Sequence, residues 1–215
     1  MDLLFGTTNP GKLRELRRLV ADLPLRVLSP GELGRPLPEV EEDAPTFEEN
    51  AAKKAVAWAR FAGIPALADD SGLCVDALGG EPGVRSARWS EGVRPGPLAR
   101  AERDEANNDL LLARLAEVAD GGRGAEYRAL LVLAAPDGRV LASVRGACRG
   151  RIGRARRGHE GFGYDPLFLP AAHPSRTMAE LQPTEKDAIS HRGEAFRRLL
   201  PHLAALARGG VGSGP

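Results

Sequence analysis

The chain has 215 residues, of which 42% are hydrophobic and 27% are charged. Its 30 basic and 29 acidic residues leave a formal net charge of +1, which argues against a dedicated nucleic-acid binder. This composition excludes disordered and collagen-like chains and predicts a folded globular protein. We expect one large domain, or one domain with two lobes, over residues 1–208 and a flexible glycine-rich tail over residues 209–215.

The cysteines and the N-terminal segment indicate the compartment. Cys74 and Cys148 lack CxxC or histidine spacing, so a disulfide framework and a structural zinc site are not expected. The N-terminus has no signal-peptide pattern, and no apolar run approaches the length of a membrane span. We therefore expect a reduced, cytoplasmic chain without membrane association.

Strands and helices alternate in the first part of the chain. Leu3 to Phe5 is a short apolar strand, and leucines from Leu13 to Leu19 recur at helical spacing. A capping-box pattern predicts a second helix over Thr46 to Ala62. Pro65 to Ala68 is a candidate buried strand, which we expect to end at Asp69.

The second part of the chain predicts a hairpin and two further helical regions. Pro136-Asp137-Gly138 is a turn between two β-rich runs, which makes a mixed sheet the expected arrangement. The predicted segments are a helix over 97–119, strands over 127–135 and 139–145, a glycine-rich loop over 158–163, a strand over 167–169, and a helical region over 178–208 broken or kinked at Pro201.

The loop between the first strand and the first helix has the composition of an anion site. Gly6-Thr7-Thr8-Asn9-Pro10-Gly11-Lys12 places small and hydroxyl residues at a helix N-terminus, where free backbone N–H groups favour a phosphate. The run fits G-x-x-x-x-G-K, but Leu13 stands where a Walker A loop needs Ser or Thr for magnesium. The alternative is a plain strand-to-helix turn with Asn9 as N-cap and Pro10 at the first helical position.

Carboxylates are concentrated at two places. Asp69 and Asp70 follow an apolar strand, and strand alternation predicts that they point to opposite sides, one toward a metal or a water and one held by backbone N–H groups. Glu42 lies in an acidic run before the second helix. Hard oxygen ligands favour Mg²⁺. The alternatives are an Asx-turn at Asp69 and simple helix-start electrostatics around Glu42.

Two further groups have the chemistry of ligand contacts. Lys53 and Lys54 either face phosphate or form the solvated side of their helix. Phe162-Gly163-Tyr164-Asp165 combines aromatic rings with a carboxylate, which suits stacking and hydrogen bonding of a planar base, and a core-packed corner is the alternative. Lys186 and Ser190-His191-Arg192 add donors, with a surface histidine as the alternative.

In this order, six segments of the chain resemble the HAM1-like inosine triphosphate pyrophosphatase family, over about residues 3 to 205. They are Thr7-Thr8-Asn9-Pro10-Gly11-Lys12, Thr46-Phe47-Glu48-Glu49-Asn50-Ala51, Leu67-Ala68-Asp69-Asp70-Ser71-Gly72-Leu73, Gly79-Gly80-Glu81-Pro82-Gly83, Gly161-Phe162-Gly163-Tyr164-Asp165-Pro166 and Ser190-His191-Arg192-Gly193. Thr8 departs from the pattern, because many relatives have Gly there.

The resemblance implies a Mg²⁺-dependent enzyme that cleaves dITP, ITP and XTP to the monophosphate and pyrophosphate, and that is usually a homodimer. It also implies an elongated α/β fold, in which a long twisted mixed sheet flanked by helices joins two lobes, with the nucleotide in the cleft between them. The implied site residues are the loop Thr7 to Lys12 for the triphosphate, Glu42 and Asp70 for the metal, Asp70 as proton acceptor, Ser71 for the substrate, and Phe162, Gly163, Tyr164, Asp165, Lys186, His191 and Arg192 around the base and sugar.

Physical chemistry adds a mechanism to these roles. A triphosphate needs positive charge spread over its oxygens, and Lys12, Lys53 and Mg²⁺ are the expected sources. Asp70 would orient or deprotonate a water that attacks the α-phosphorus. Donors such as the Arg192 guanidinium or backbone N–H groups would favour a 6-oxo purine over adenine.

Two other interpretations stay open at this point. One is a related Maf-like nucleotide pyrophosphatase with a different base preference. The other is a non-catalytic nucleotide or nucleic-acid binding module that holds phosphates with the arginines between Arg145 and Arg157.

Overall fold

The computed structural model of the chain describes residues 1–93, 96 and 98–209. Within this part of the chain, six strands form one sheet in the order β2-β1-β3-β4-β5-β6. The strands are β1 (Asp2–Phe5), β2 (Arg26–Leu28), β3 (Ala66–Val75), β4 (Gly124–Ala134), β5 (Val140–Ile152) and β6 (Phe168–Pro170). The α-helices are α1 (Pro10–Leu19), α2 (Phe47–Ala62), α3 (Arg100–Arg114), α4 (Pro183–Ile189) and α5 (His191–Ala207).

The sheet contains both strand directions. β1 runs parallel to β2 and to β3, and β5 runs antiparallel to β6. β4 and β5 are neighbours joined by a turn over residues 135–139, a connection too short for a parallel crossover. The predicted hairpin and the predicted mixed α/β sheet are therefore confirmed.

The helix starts expected from the sequence are present in the first half. Asn9 caps α1 by accepting a hydrogen bond from the Gly11 N–H, and Pro10 occupies the first turn. Thr46 caps α2 by accepting from the Glu49 N–H, and Gly63 ends the helix in the left-handed conformation with a φ of 70°. Local hydrogen bonding alone explains these boundaries, which is why the sequence predicts them.

The prediction that the third strand ends at Asp69 is wrong. β3 continues through Asp69 and Asp70 to Val75, and all of its residues except Ser71 are buried. The polar side chains do not break the strand because both carboxylates have ionic partners inside the protein. Tertiary contacts override the turn signal here.

The helical region at the C-terminal end also differs from its prediction. Met178–Glu180 is a single 3-10 turn, α4 follows, and the break between α4 and α5 falls at Ser190. α5 continues through Pro201, so the helix is not broken there. The predicted helix over 97–119 is observed as Arg100–Arg114, and Pro97 lies outside the described residues, as do residues 210–215 of the predicted tail.

The chain forms two compact units, each with its own apolar core. Among the described residues, the first unit comprises 1–70, 129–146 and 192–209, and the second comprises 71–93, 96, 98–128 and 147–191. In the first core Phe5 meets Phe196 edge to face, and in the second Tyr127 packs on Phe168. Over the described residues, no helix is long and apolar enough to cross a membrane.

Candidate active site

Two adjacent carboxylates at the centre of β3 have different partners. Asp69 Oδ2 accepts from Lys12 Nζ at 2.8 Å and from Arg192 Nε at 3.0 Å. Asp70 Oδ1 accepts from Lys54 Nζ at 3.0 Å. Side chains of consecutive strand residues point to opposite faces, so the two carboxylates belong to separate networks.

Asp69 lies in a network that joins three elements of the first unit. Arg192, the second residue of α5, also pairs with Glu15 of α1 through Nη1 at 3.3 Å. Burial by itself would raise the pKa of Asp69, but Lys12 and Arg192 outweigh it and hold that pKa well below its usual range. Asp69 therefore stays ionised at neutral pH, held by two cationic side chains and not by the backbone N–H groups that the sequence suggested.

Asp70 lies in a different environment. Lys54 Nζ contacts Asp70, Glu42 Oε1 at 3.1 Å, and the backbone carbonyl of Asp69 at 3.1 Å. Burial raises the pKa of Asp70 to about 6, against the opposing effect of Lys54. A carboxylate with a pKa close to neutrality can accept a proton from a water molecule, which is the property required of a general base.

The donor set around Asp70 fits a divalent cation. Asp70 Oδ2 is buried and has no hydrogen-bond partner among the described residues. Among these residues, no group of three or more His, Cys, Asp or Glu side chains could hold a metal on its own. The buried Asp70 oxygen suits a hard divalent cation, which binds through one or two carboxylates together with phosphates and water.

The net charge of the Asp69 and Asp70 networks also favours binding of a cation. Four carboxylates and three cationic side chains form the two networks, which leaves one net negative charge when all are ionised. They are Glu15, Glu42, Asp69 and Asp70, with Lys12, Lys54 and Arg192.

The loop before α1 borders a cavity of about 260 Å³, which suits an anion. Asn9 Oδ1 is used as the cap, but Asn9 Nδ2 is buried and has no hydrogen-bond partner among the described residues. A buried donor left without an acceptor is costly, and an oxyanion would satisfy it. The residues that line the cavity are Thr7, Thr8, Asn9, Pro10, Leu13, Ser29, Pro30 and Gly31.

In the second unit, Asp165 organises the predicted base loop. Its Oδ2 accepts from the Phe162 N–H at 2.9 Å and from Lys186 Nζ at 2.6 Å, and its Oδ1 accepts from the Tyr127 hydroxyl at 3.4 Å. A Cβ at Gly161 would collide with Asp165 and Lys186, so glycine is required for this close approach. Tyr164 is buried and donates to the Ser86 carbonyl at 2.9 Å.

Aromatic rings flank this loop. The Phe162 ring has the Arg100 guanidinium and the Lys186 ammonium each 5.1 Å from its centroid, within cation–π range. The His191 ring stacks on Tyr127 with a centroid separation of 4.6 Å and an interplanar angle of 8°. His191 is 5% exposed and therefore not a surface residue.

The structure separates the two lysines that the sequence could not distinguish. Lys54 is buried in the Asp70 network, whereas the Lys53 side chain is 47% exposed and pairs with Asp43. The predicted substrate contacts of Lys53 and of the half-buried Ser71 stay predictions. Glu15 was missed by sequence reasoning, and its only signal was a carboxylate one helical turn from Lys12.

The fold and these networks define an α/β protein whose polar centres suit a phosphorylated ligand and a divalent cation. The chain belongs to the Ham1 family, whose model matches residues 3–202.

Similar proteins match along nearly the whole chain. A dITP/XTP pyrophosphatase of Anaeromyxobacter dehalogenans is 64% identical, covering 97% of this chain and 100% of that protein. One from Streptomyces avermitilis is 48% identical, covering 95% and 98%. Among solved structures, a HAM1 protein from Coxiella burnetii superposes with a TM-score of 0.81 at 35% identity, covering 97% of this chain and 99% of that one.

Proposed function

We propose that this chain is a Mg²⁺-dependent nucleoside-triphosphate pyrophosphatase that hydrolyses dITP, ITP and XTP or dXTP to the monophosphate and pyrophosphate. Such an activity removes nonstandard purine nucleotides from the nucleotide pool. The observation that carries this proposal is Asp70, a buried carboxylate with a pKa raised to about 6 and one oxygen without a partner among the described residues. The whole-length similarity to proteins named dITP/XTP pyrophosphatase supports the substrate class.

In the proposed reaction, Asp70 accepts a proton from a water molecule as the water oxygen bonds to the α-phosphorus. The bond between the α-phosphorus and the bridging oxygen breaks, and pyrophosphate leaves. Glu42 and Asp70 would hold Mg²⁺, which neutralises phosphate charge when bound. The loop from Thr7 to Lys12 would bind the triphosphate through its hydroxyl groups, the Asn9 amide and the Lys12 ammonium, because the N–H groups of Thr7, Asn9 and Gly11 already donate within the protein.

Base recognition is assigned to the Phe162–Asp165 loop with Lys186, His191 and Arg192. Two of the backbone donors in this loop are already used, because the Phe162 N–H donates to Asp165 and the Gly163 N–H donates to Asp104. The donor that selects a 6-oxo purine is therefore another group, and Arg192 remains the proposed one. A guanidinium has five N–H donors and can keep its pairs with Asp69 and Glu15 while it donates elsewhere.

The direct test is an assay of pyrophosphate and orthophosphate released from dITP, dGTP and dATP, with and without Mg²⁺. We expect pyrophosphate from dITP only when Mg²⁺ is present, with little product from dATP or dGTP. Asp70→Asn keeps the size of the side chain and removes its basicity, so kcat should fall by about 100-fold or more. Asp137→Asn, at the exposed hairpin turn, is the matched control. Retention of most of the wild-type kcat by Asp70→Asn would contradict the assigned role.

The ion pairs of the arginine-rich stretch between Arg145 and Arg157 argue against the alternative of a non-catalytic binding module. Five of its six arginines pair with carboxylates of their own unit and Arg151 donates to a backbone carbonyl, so most of the positive charge is compensated locally. The pairs are Arg145 with Glu48, Arg149 with Asp76, Arg151 with the Pro174 carbonyl, Arg154 with Asp120, Arg156 with Asp109, and Arg157 with Glu180.

A homodimeric assembly and a cytoplasmic location belong to the same proposal. The homodimer follows from the family resemblance, and the cytoplasmic location follows from the two buried cysteines, which form no disulfide, as suits a reducing compartment. Sedimentation equilibrium should give twice the monomer mass, and a monomer at micromolar concentration would contradict the assembly.

A further inference from the structure

One helix of the second unit holds both backbone groups of a single residue in the base loop. Asp104 Oδ2 accepts from the Gly163 N–H at 2.9 Å, and Asn108 Nδ2 donates to the Gly163 carbonyl at 2.9 Å. Asp104 and Asn108 are four residues apart on α3, so both side chains project from one helix face.

These two hydrogen bonds fix the conformation of Gly163. Its N–H belongs to the peptide plane shared with Phe162, and its carbonyl belongs to the plane shared with Tyr164. Holding both groups fixes the rotation between two successive planes at a residue whose φ is +63°. Glycine has the greatest backbone freedom of any residue, so an external restraint has its largest effect there.

The other bonds of the loop shape its turn or hold its end. Asp165 accepts from the Phe162 N–H inside the loop, and Lys186 holds Asp165 from α4. Between Phe162 and Asp165, the Tyr164 side chain is anchored at the Ser86 carbonyl, and Asp104 and Asn108 supply the attachment of the backbone at Gly163.

α3 is itself firmly held, as a supporting element must be. Asn107 is 1% exposed, and its amide accepts from the Ser90 N–H at 2.9 Å and donates to the Ser86 carbonyl at 3.2 Å.

Asn108 is also 1% exposed, and its Oδ1 has no hydrogen-bond partner among the described residues. A buried amide with one unsatisfied atom costs stability, and an apolar side chain would avoid that cost.

We propose that Asp104 and Asn108 are positioning residues for base recognition, which fix the Gly163 peptides and so hold Phe162 and Asp165 in the conformation that receives the base. This inference rests on the proposed function, because it assumes that the loop binds the base of the substrate. Neither residue is assigned a contact with the substrate.

The test compares Asp104→Ala and Asn108→Ala with Asp104→Asn, which retains an oxygen that can accept from the Gly163 N–H. Glu105→Ala is the matched control, because Glu105 is an exposed neighbour on α3 that pairs with Arg156. The alanine variants should raise KM for dITP about ten-fold while kcat stays within about two-fold, and Asp104→Asn should restore most of the loss.

A second readout needs no substrate. Amide hydrogen exchange of a peptide over residues 160–166 should become faster in both alanine variants and stay at the wild-type rate in Glu105→Ala. Unchanged exchange in the alanine variants overturns the inference, and so does faster exchange with an unchanged KM or with an equal loss in kcat. If wild-type protein releases no pyrophosphate from dITP, the proposed function fails, and exchange still reports whether α3 restrains the loop.

Discussion

At the residue scale, neighbouring side chains of this chain have opposite environments. Asp69 is paired with two cations and has a strongly depressed pKa, whereas Asp70 is paired with one and has a raised pKa. Each carboxylate also has one buried oxygen without a hydrogen-bond partner among the described residues. Lys53 is exposed and Lys54 is buried. In each pair the chemistry of the two residues is the same. The two aspartates are both buried, so their partners account for the difference, whereas the two lysines differ in burial as well as in partners.

Lys54 should support stability as well as the site. Lys54→Met keeps the length of the side chain but leaves Asp70 and Glu42 without their cation. Removal of one partner from a buried ion pair costs about 3–5 kcal/mol, so we expect a decrease of that order in the free energy of unfolding in urea. Lys53→Met should leave the unfolding midpoint nearly unchanged, because its ion pair with Asp43 is exposed. Equal midpoints for the two variants would show that the Lys54 contacts do not stabilise the folded chain.

At the element scale, capping explains the helix boundaries that were predicted, and tertiary packing explains the others. α1 and α2 begin at Asn9 and Thr46, where a side chain satisfies a free backbone N–H. β3 runs past a turn signal because its carboxylates are paired inside the protein. α5 includes Pro201 although proline removes a helical hydrogen bond.

Pro201 offers a test of how packing overrides this local preference. Pro201 is an exposed residue within α5, and Pro201→Ala would restore the missing N–H donor. We expect the free energy of unfolding to rise by about 1 kcal/mol or more. Pro183→Ala is the control, because proline at the start of α4 removes no helical bond and its replacement should have little effect. A destabilised Pro201→Ala would indicate that the packing of α5 depends on the proline.

At the scale of the whole molecule, the near-zero net charge is matched by local pairing. The chain carries 30 basic residues, yet the arginine-rich stretch between residues 145 and 157 is paired with carboxylates and carbonyls. Long-range attraction to a polyanion requires unbalanced charge, and the carboxylate pairs reduce that charge on this surface.

We therefore expect weak binding of single-stranded RNA. Fluorescence anisotropy at about 50 mM and 200 mM salt should show a dissociation constant no tighter than about 10 μM and a shallow salt dependence. Nanomolar affinity that falls steeply with salt, without pyrophosphate release from dITP, would favour the binding module over the enzyme.

Features that depend on neighbours along the chain could be predicted from the sequence. These features include the helix caps at Asn9 and Thr46 and the hairpin turn at Pro136-Asp137-Gly138, because each depends on residues a few positions apart. The segments that resemble the family were also identified from short runs of residues. The mixed α/β sheet followed from the order of strands and helices.

Contacts between polar residues that are distant in the sequence could not be predicted in this way. The Asp69–Arg192 pair joins residues 123 positions apart, and the bond from Asn108 to Gly163 spans 55 positions. Successive residues of a helix point about 100° apart, so Lys53 and Lys54 face different directions. The sequence could not show which of the two faces Asp70. Those contacts are set by what packs against each face, which no local pattern encodes.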